Sequence, residues 1–316
     1  MLYLEELVDV VIAEEGQTLM GLDFLFDTLS LPMEKIEKIF LKAVSEYSER
    51  RPMKKTEVFD NFNPEGYITM PEGTTSCRIA RYGVLPNIMP RFYMPTFLEQ
   101  NVEFDPSTLI AKVWPPVMPL RLTYTQKYVP TRNILIEKDY NIPYSTNTFE
   151  TSLDTMFAGN TLYIQRPITV KDPVTGEETA EILTMSPTGE IQKTEEFDEI
   201  TEEALLKGSL GTGTVNLKTR EVKLELSNAS TSPIILTYYP KYYVVKELDI
   251  GHYVLTKLFA SKLLTALASL RAQATQAKLH NLDLTTDQLY ERANDLKDEV
   301  RQLLKSTWSY GDASPM

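Results

Sequence analysis

The sequence predicts an α+β fold, in which helices near the two ends form a helical bundle and a large antiparallel β-rich insertion lies between them. Apolar residues recur at helical spacing in residues 1–52 and again in residues 247–308, which is the pattern of amphipathic helices. Residues 53–165 are rich in proline, and residues 166–246 alternate apolar and polar side chains between turn sequences. Because an amphipathic helix must bury its apolar stripe, the helices of the two ends are expected to pack together.

Two helices are expected in residues 1–52. The apolar face of the first is formed by Leu4, Leu7, Val8, Val11 and Ile12. The second begins near Pro32, since proline suits the first helical turn. Its apolar residues follow one another at steps of three and four and are Met33, Ile36, Ile39, Phe40, Ala43, Val44 and Tyr47. Of these, the candidate packing or interface positions are Ile36, Ile39, Phe40, Val44 and Tyr47.

The middle of the chain is expected to be β structure of two kinds. Nine prolines between positions 86 and 143 break any helix, because proline lacks a backbone donor, and they predict irregular strands with long loops. Residues 166–246 are more regular and predict a small antiparallel sheet or sandwich. Its turns are expected at residues 172–176, at 186–189 and at Thr219-Arg220.

A second pair of helices is expected in residues 247–308. The first runs from about residue 249 to 278, and a short loop at 280–284 ends it. Thr285 then begins the last helix, with Gln288 as its capping-box partner. A heptad seam follows along this helix, formed by Leu289, Ala293, Leu296, Val300 and Leu303. This seam either lies in the chain's own bundle, which is the commoner use, or docks on a neighbouring subunit. Residues 309–316 are expected to be a loosely held tail.

The overall charge and the cysteine content bear on function. The chain has 44 acidic and 32 basic residues, for a net charge of −12, which argues against a protein that grips nucleic acid through its phosphates. A surface that DNA merely passes is compatible with this charge. The single cysteine, Cys77, cannot form an internal disulfide, as in proteins made in a reducing cytoplasm. No membrane span and no signal peptide are expected, because no run of 18 apolar residues and no basic leader are present.

No catalytic, cofactor-binding or metal-binding residue is predicted, and the chain is not expected to be an enzyme. Residues 208–213 are glycine-rich but lack the lysine and hydroxyl residue of a phosphate-binding loop. The acidic run at 195–199 is typical of a solvated face, and His252, His280 and Cys77 are far apart in the sequence. Mixed aromatic and basic residues at 91–94 and 238–243 suit either single-stranded nucleic acid or a protein interface. The acidic total and the lack of a recognisable RNA-binding motif favour the interface.

The two ends of the chain share four segments with one family. Two are residues 7–12 and 36–47, where Ala43, Val44 and Tyr47 hold a closing helical step, and two are residues 262–268 and 284–293, at the place of a terminal helical hairpin. In these segments the chain resembles neck proteins of T-even-type tailed bacteriophages. Residues 213–222 are similar to a hairpin that is common in phage neck, tail and baseplate subunits, although Arg220 stands where glycine is usual. The helical ends make up about a third of the chain, and apart from this hairpin the β-rich middle shows no resemblance.

The resemblance implies a head-completion protein of the virion, assembled in the host cytoplasm. Such a subunit forms a ring with its own copies, binds the portal protein and a further neck or tail-terminator protein, and surrounds the DNA channel without binding DNA specifically. It needs no cofactor and no membrane. A baseplate or other tail subunit is the alternative, since the hairpin fits it equally well, and a phage enzyme with an unrecognised site is a second alternative.

Overall fold

The helices lie towards the two ends of the chain and the antiparallel strands, apart from β1, lie between them, which confirms the α+β class. The computed structural model describes residues 1–59, 63, 65–82, 101–114, 120–142, 146–171, 178–196, 199–246, 252–274 and 284–308. Its helices are α1 (Leu4–Gly16), α2 (Leu22–Leu29), α3 (Met33–Arg50), α4 (His252–Gln273) and α5 (Thr286–Trp308).

The strands divide among four sheets. The first ten strands are β1 (Leu2–Tyr3), β2 (Met53–Phe59), β3 (Tyr67–Thr69), β4 (Thr74–Tyr82), β5 (Asn101–Asp105), β6 (Ile110–Trp114), β7 (Leu120–Gln126), β8 (Pro130–Thr131), β9 (Ile136–Tyr140) and β10 (Thr146–Ser152). They are followed by β11 (Tyr163–Lys171), β12 (Glu178–Glu196), β13 (Glu199–Gly208), β14 (Gly211–Asn216), β15 (Glu221–Ser230), β16 (Ile234–Tyr238) and β17 (Val244–Val245).

The chain forms two compact units, and each is discontinuous in sequence. Unit 1 comprises Met1–Val10 and Pro130–Lys246, and unit 2 comprises Val11–Val129 and Glu247–Met316. The boundary expected between residues 165 and 166 falls inside β11, whose neighbours in the sheet are β12 and β16. The segment 1–52, expected to be one helical region, is likewise divided, since its first ten residues belong to unit 1.

Unit 1 is built on an eight-stranded antiparallel sheet with the order β10-β15-β14-β13-β12-β11-β16-β9. One face of the sheet is buried, with alternating residues that include Ile164, Met185, Leu206, Val215, Val222, Leu224 and Leu236. The two edge strands, β9 and β10, are consecutive in the chain. Their Tyr140 and Phe149 rings lie 5.4 Å apart at 67°, so side-chain packing brings the two edges of the curled sheet together.

The turn expected at residues 186–189 is absent, and that prediction was wrong. Strand β12 runs through these residues, and its pairing with β13 shifts between Pro187, opposite Leu206, and Ile191, opposite Ala204. Three residues of β12 therefore lie opposite one residue of β13. This irregularity is a β-bulge, a position at which a sheet tolerates proline. The other turn expected in this region, at 172–176, lies outside the described residues.

Beyond the bulge, β12 and β13 continue as a two-stranded arm. Strand β11 pairs with β12 only as far as Met185, and β14 pairs with β13 only from Glu203 onward. In the described part of the chain, residues 194–196 and 199–201 therefore pair only with each other. The acidic run singled out in the sequence lies on this arm, apart from residues 197 and 198, which lie outside the described residues.

The hairpin predicted at residues 213–222 is confirmed as β14 and β15. Arg220, at the position where glycine is usual, adopts a left-handed backbone conformation with φ of 65°, which is uncommon for a residue with a side chain. Its guanidinium donates to the carbonyl oxygen of Asp154 at 3.1 Å and to Asp9 Oδ2 at 2.9 Å. These two contacts help to hold the strained turn in place.

The N-terminal residues complete unit 1. Strand β1 pairs with β17, which pairs in turn with β8. The carboxylate of Glu5 accepts hydrogen bonds from the Thr155 hydroxyl and from the Met156 backbone N–H, the latter at 2.7 Å. The first half of α1, expected in a bundle with the other helices, is therefore fixed to the β-rich unit.

The strands of unit 2 form two three-stranded antiparallel sheets, β2-β7-β4 and β3-β6-β5. They share one core, in which Ala111, Val113, Leu122 and Tyr124 are fully buried. Where the sequence predicted irregular strands between residues 53 and 129, the described parts pair regularly apart from two shifts in the β4–β7 register.

The helices of unit 2 pack in series, α3 against α4 and α4 against α5. The Phe40 and Phe259 rings meet edge to face at 6.2 Å, and Glu46 and Lys262 form an ion pair at 2.6 Å. Helix α3 begins directly after Pro32, as predicted, whereas α2 was not predicted. The predicted extensions of α4 to residues 249 and 278 lie outside the described residues, as do the loop at 280–283 and the tail.

The capping box at the start of α5 is confirmed. The backbone N–H of Gln288 donates to the Thr285 hydroxyl at 3.2 Å, and the Gln288 side chain accepts the Thr285 N–H at 2.7 Å. Helix α4 is long and apolar enough to cross a membrane by length and composition alone, but 61% of that stretch is buried. Packing against α3 and α5 is sufficient reason for its apolar character.

Candidate functional site

The candidate interface positions of α3 and α5 lie in the core of unit 2. Eight of the ten candidate packing or interface positions are buried, and these are Ile36, Phe40, Val44, Tyr47, Leu289, Ala293, Leu296 and Val300. Ile39 and Leu303 are only half-buried, and Leu304 is buried in place of Leu303. Surfaces that a partner can reach must therefore be sought elsewhere.

An ion-pair network joins three helices inside unit 2. Arg292 of α5 donates two hydrogen bonds to Glu15 of α1, at 2.6 and 3.2 Å, and a third to Glu299 at 3.3 Å. Glu299 also pairs with Lys257 of α4, whose ammonium lies 4.7 Å from the centre of the Tyr253 ring. Glu15 is only 5% exposed, and a buried carboxylate is tolerated when an arginine donates hydrogen bonds to both of its oxygens.

The network shifts the titration of its members. The hydrogen bond from Lys257 holds the pKa of Glu299 below its usual value, against the opposing effect of burial. Burial alone would lower the pKa of Lys257, but its hydrogen bonds with Glu299 and Tyr253 raise it overall. The arrangement therefore favours the charged forms of both groups. A structural ion pair requires both charged forms, whereas a proton-transfer site does not.

Replacing Glu299 by glutamine is expected to weaken the acid sensitivity of unit 2. A carboxylate whose pKa is lowered by folding contributes stability above its unfolded pKa and loses it as the pH falls through its folded pKa. The Tm of the wild-type chain should therefore fall more steeply between about pH 6 and pH 3 than that of Glu299→Gln. Thermal denaturation followed by circular dichroism measures both slopes. Glu291→Gln, at an exposed position of the same helix, is the control and should keep the wild-type slope; equal slopes for all three proteins would contradict the expectation.

Among the described residues, the structure does not group the side chains that were considered for catalysis or metal binding. Cys77 is buried in the core of the two small sheets, and burial raises the pKa of its thiol to about 11, which disfavours the reactive thiolate. His252 is the first residue of α4, and His280 lies outside the described residues. Residues 208–213 form the tight turn between β13 and β14. Among the described residues, no three histidine, cysteine or carboxylate side chains are grouped as metal ligands.

The sequence did not predict that an arginine is buried in the sheet of unit 1. Arg166 of β11 is completely buried in unit 1 and donates to the carbonyl oxygens of Ser232 and Asn228, both at 3.1 Å. Burial lowers the pKa of its guanidinium. These contacts hold the connection between β15 and β16, so the role is structural. Nothing in an alternating strand pattern distinguishes such an arginine from one that faces solvent.

The sequence did not predict which large apolar side chains are exposed, and two surfaces of unit 2 carry some of them. On the first, Met20 is 87% exposed and Phe24, in α2, is 57% exposed. On the second, Val58 of β2 is 59% exposed. Their signal in the sequence was weak, because a single exposed apolar residue in a short element looks the same as a buried one. Large exposed apolar groups that lie together commonly mark interaction surfaces.

The comparisons with known proteins add no relative: no protein-family model, no curated protein and no solved structure matches this chain.

Proposed function

We propose that the chain is a structural subunit of a tailed-bacteriophage particle and forms a ring in the neck, between the portal and the tail. The observation that carries the proposal is the packing of α3, α4 and α5 in one unit. These helices contain most of the sequence that resembles neck proteins, and their two segments are about 200 residues apart in the chain. In the proposal, they constitute the helical bundle, and the β-rich residues between them are its insertion.

The buried polar groups fit a structural role. The ions of the network joining α1, α4 and α5 are paired with one another, and Arg166 is bound to backbone carbonyl groups. Such groups stabilise and orient elements. In the proposal, the subunit works through the surface it shares with its own copies, with the portal protein and with a further neck or tail-terminator protein. The net charge of −12 suits a channel wall that DNA passes without being bound.

A baseplate or other tail subunit is the second candidate. The observation that favours it is the β14–β15 hairpin, whose sequence is similar to hairpins of neck, tail and baseplate subunits alike. Its Arg220 turn is held by Asp154 and Asp9 and is therefore a fixed part of unit 1. The hairpin supports a virion protein of either kind, whereas the helical ends favour the neck.

Immunogold electron microscopy distinguishes these candidates. Antibodies raised against the purified chain are applied to particles of the phage that encodes it, with preimmune serum as the control. Gold at the joint between head and tail is the expected result, and gold at the baseplate would favour the second candidate. If no particle is labelled, either intact or after partial disruption, both candidates are contradicted.

DNA binding is tested separately. Fluorescence anisotropy with a duplex DNA should show only weak binding at physiological salt, whereas tight binding with a steep salt dependence would contradict the passive channel wall.

A further inference from the structure

Helix α1 continues from one compact unit into the other. Its residues Leu4–Val10 belong to unit 1, and Val11–Gly16 belong to unit 2. In an α-helix each backbone N–H donates to the carbonyl oxygen four residues earlier, so backbone hydrogen bonds run across this boundary. At the next boundary, between Val129 and Pro130, no element continues, since β7 ends at Gln126 and β8 begins at Pro130.

Unit 1 fixes the first part of α1 through two acidic side chains. The carboxylate of Glu5 accepts hydrogen bonds from the Thr155 hydroxyl and from the Met156 N–H, and Thr155 is completely buried. One turn further along the helix, the Asp9 carboxylate accepts a hydrogen bond from the Arg220 guanidinium at 2.9 Å. The N-terminal part of α1 therefore depends on contacts with residues of unit 1.

Unit 2 fixes the other end of α1 through Glu15. This residue is 5% exposed, and its two carboxylate oxygens accept hydrogen bonds from Arg292 of α5 at 2.6 and 3.2 Å. Its backbone carbonyl oxygen accepts the N–H groups of Thr18 and Leu19, at 3.0 and 2.7 Å. Because the Glu15–Arg292 pair is charged and largely removed from water, loss of either charge is expected to loosen this end of the helix.

Helix α1 is not expected to be stable by itself. It has 13 residues, a length at which isolated helices are marginal in water. β-Branched side chains lower helix propensity, and four of them lie in α1, namely Val8, Val10, Val11 and Ile12. Because helix formation is cooperative over so short a length, loosening one end of α1 makes unwinding of the other end easier.

We propose that α1 couples the stability of the two units. A change that loosens the Glu15 end in unit 2 also loosens the Glu5 end in unit 1, and the effect in the opposite direction is equally large because coupling free energies are reciprocal. A partner that binds and stabilises either unit therefore stabilises the other as well. The inference goes beyond the proposed neck function, since it concerns the chain itself and does not depend on which partners the units bind.

Hydrogen exchange of the native full chain, followed by mass spectrometry, measures this coupling because it reports local opening segment by segment. Glu15→Gln removes the charge that Arg292 binds. It should raise exchange in α5 and also, by about fivefold or more, in residues 153–158 of unit 1, which include both partners of Glu5. Thr155→Val removes one of the donors to Glu5 and should, reciprocally, raise exchange in α5.

Variants at Val10 test whether the coupling runs through α1. The Val10 side chain is 38% exposed, so the effect of a substitution falls mainly on the helix backbone. Proline removes a helical N–H and clashes with the preceding turn, whereas glycine weakens a helix interior without interrupting it. When Glu15→Gln is added to each variant, the increase in exchange of residues 153–158 should be kept with Val10→Ala, smaller with Val10→Gly and absent with Val10→Pro.

Glu46→Gln is the matched control. It makes the same chemical change as Glu15→Gln but breaks the ion pair between α3 and Lys262 of α4, within unit 2, and it should leave exchange in residues 153–158 unchanged. The inference is overturned if Glu15→Gln leaves that segment unchanged, if Glu46→Gln affects it as strongly, or if the increase is the same with Val10→Ala and Val10→Gly. The comparison of these last two variants decides the outcome even where Val10→Pro does not fold.

Discussion

Replacing Leu296 by alanine is expected to lower the free energy of unfolding of unit 2 by about 2–5 kcal/mol. The Leu296 side chain is completely buried, midway along α5, and α5 packs along α4. Truncation removes buried methyl groups and leaves a cavity between two helices that cannot easily close together. Chemical denaturation of the purified chain measures the loss.

Leu303→Ala is the matched control for this prediction. It makes the same chemical change on the same helix, but Leu303 is only half-buried, so a loss of about 1 kcal/mol or less is expected. Equal losses at the two positions would mean that α5 is not held by the stripe that contains Leu296. A Leu296→Ala chain as stable as the wild type would show that α5 is not part of the cooperative unit at all.

Replacing Gly211 by alanine is expected to prevent unit 1 from folding stably, with a loss of at least about 3 kcal/mol. Gly211 begins β14 with φ of 140°, and a Cβ atom there would lie 2.0 Å from the carbonyl oxygen of Glu225. Both the backbone conformation and the close approach of β15 exclude a side chain. The neighbouring atom is backbone in a paired strand, so it cannot move aside without breaking the ladder.

The expected result for Gly211→Ala is low soluble yield, or an early unfolding transition and rapid proteolysis of residues 130–246. Gly16→Ala is the control, because a Cβ at Gly16, the last residue of α1, would meet nothing within 4 Å. That variant should match the wild type to within about 1 kcal/mol. A Gly211→Ala chain that unfolds with the wild-type Tm would show that the tight β13–β14 turn is not formed as described.

Elements with local signals were predictable from the sequence. Helix α5 combines a capping box at Thr285 with an apolar stripe of more than four turns, and both signals depend only on residues close together in the chain. The β14–β15 hairpin was predicted for the same reason. Helix α2 was missed because it has eight residues, too few for a periodic pattern to stand out. Residues 186–189 have the composition of a turn. Strand β12 nevertheless pairs with β13 both before and after the irregularity, so these residues form part of a bulge.

Features that depend on distant residues were not predictable. The division of α1 between two units depends on strand β1 pairing with β17, more than 240 residues later in the chain. The apolar stripes on α3 and α5 predicted that these faces are buried but not what covers them, and eight of the ten candidate packing or interface positions lie in the core. The exposure of Phe24 was not predictable either, because it depends on which side of a short helix Leu22 and Leu25 anchor.

The interleaving of the two units has a consequence for the newly synthesised chain. Residues 130–246 leave the ribosome before α4 and α5, so the eight-stranded sheet can form while unit 2 still lacks α4, the helix that packs against α3. At about 5–20 residues per second, synthesis of residues 247–308 takes roughly 3–12 s. During this interval Phe40 and Val44 have no α4 to pack against. Nascent chains at this stage are the ones most prone to aggregate and the ones that a chaperone is most expected to bind.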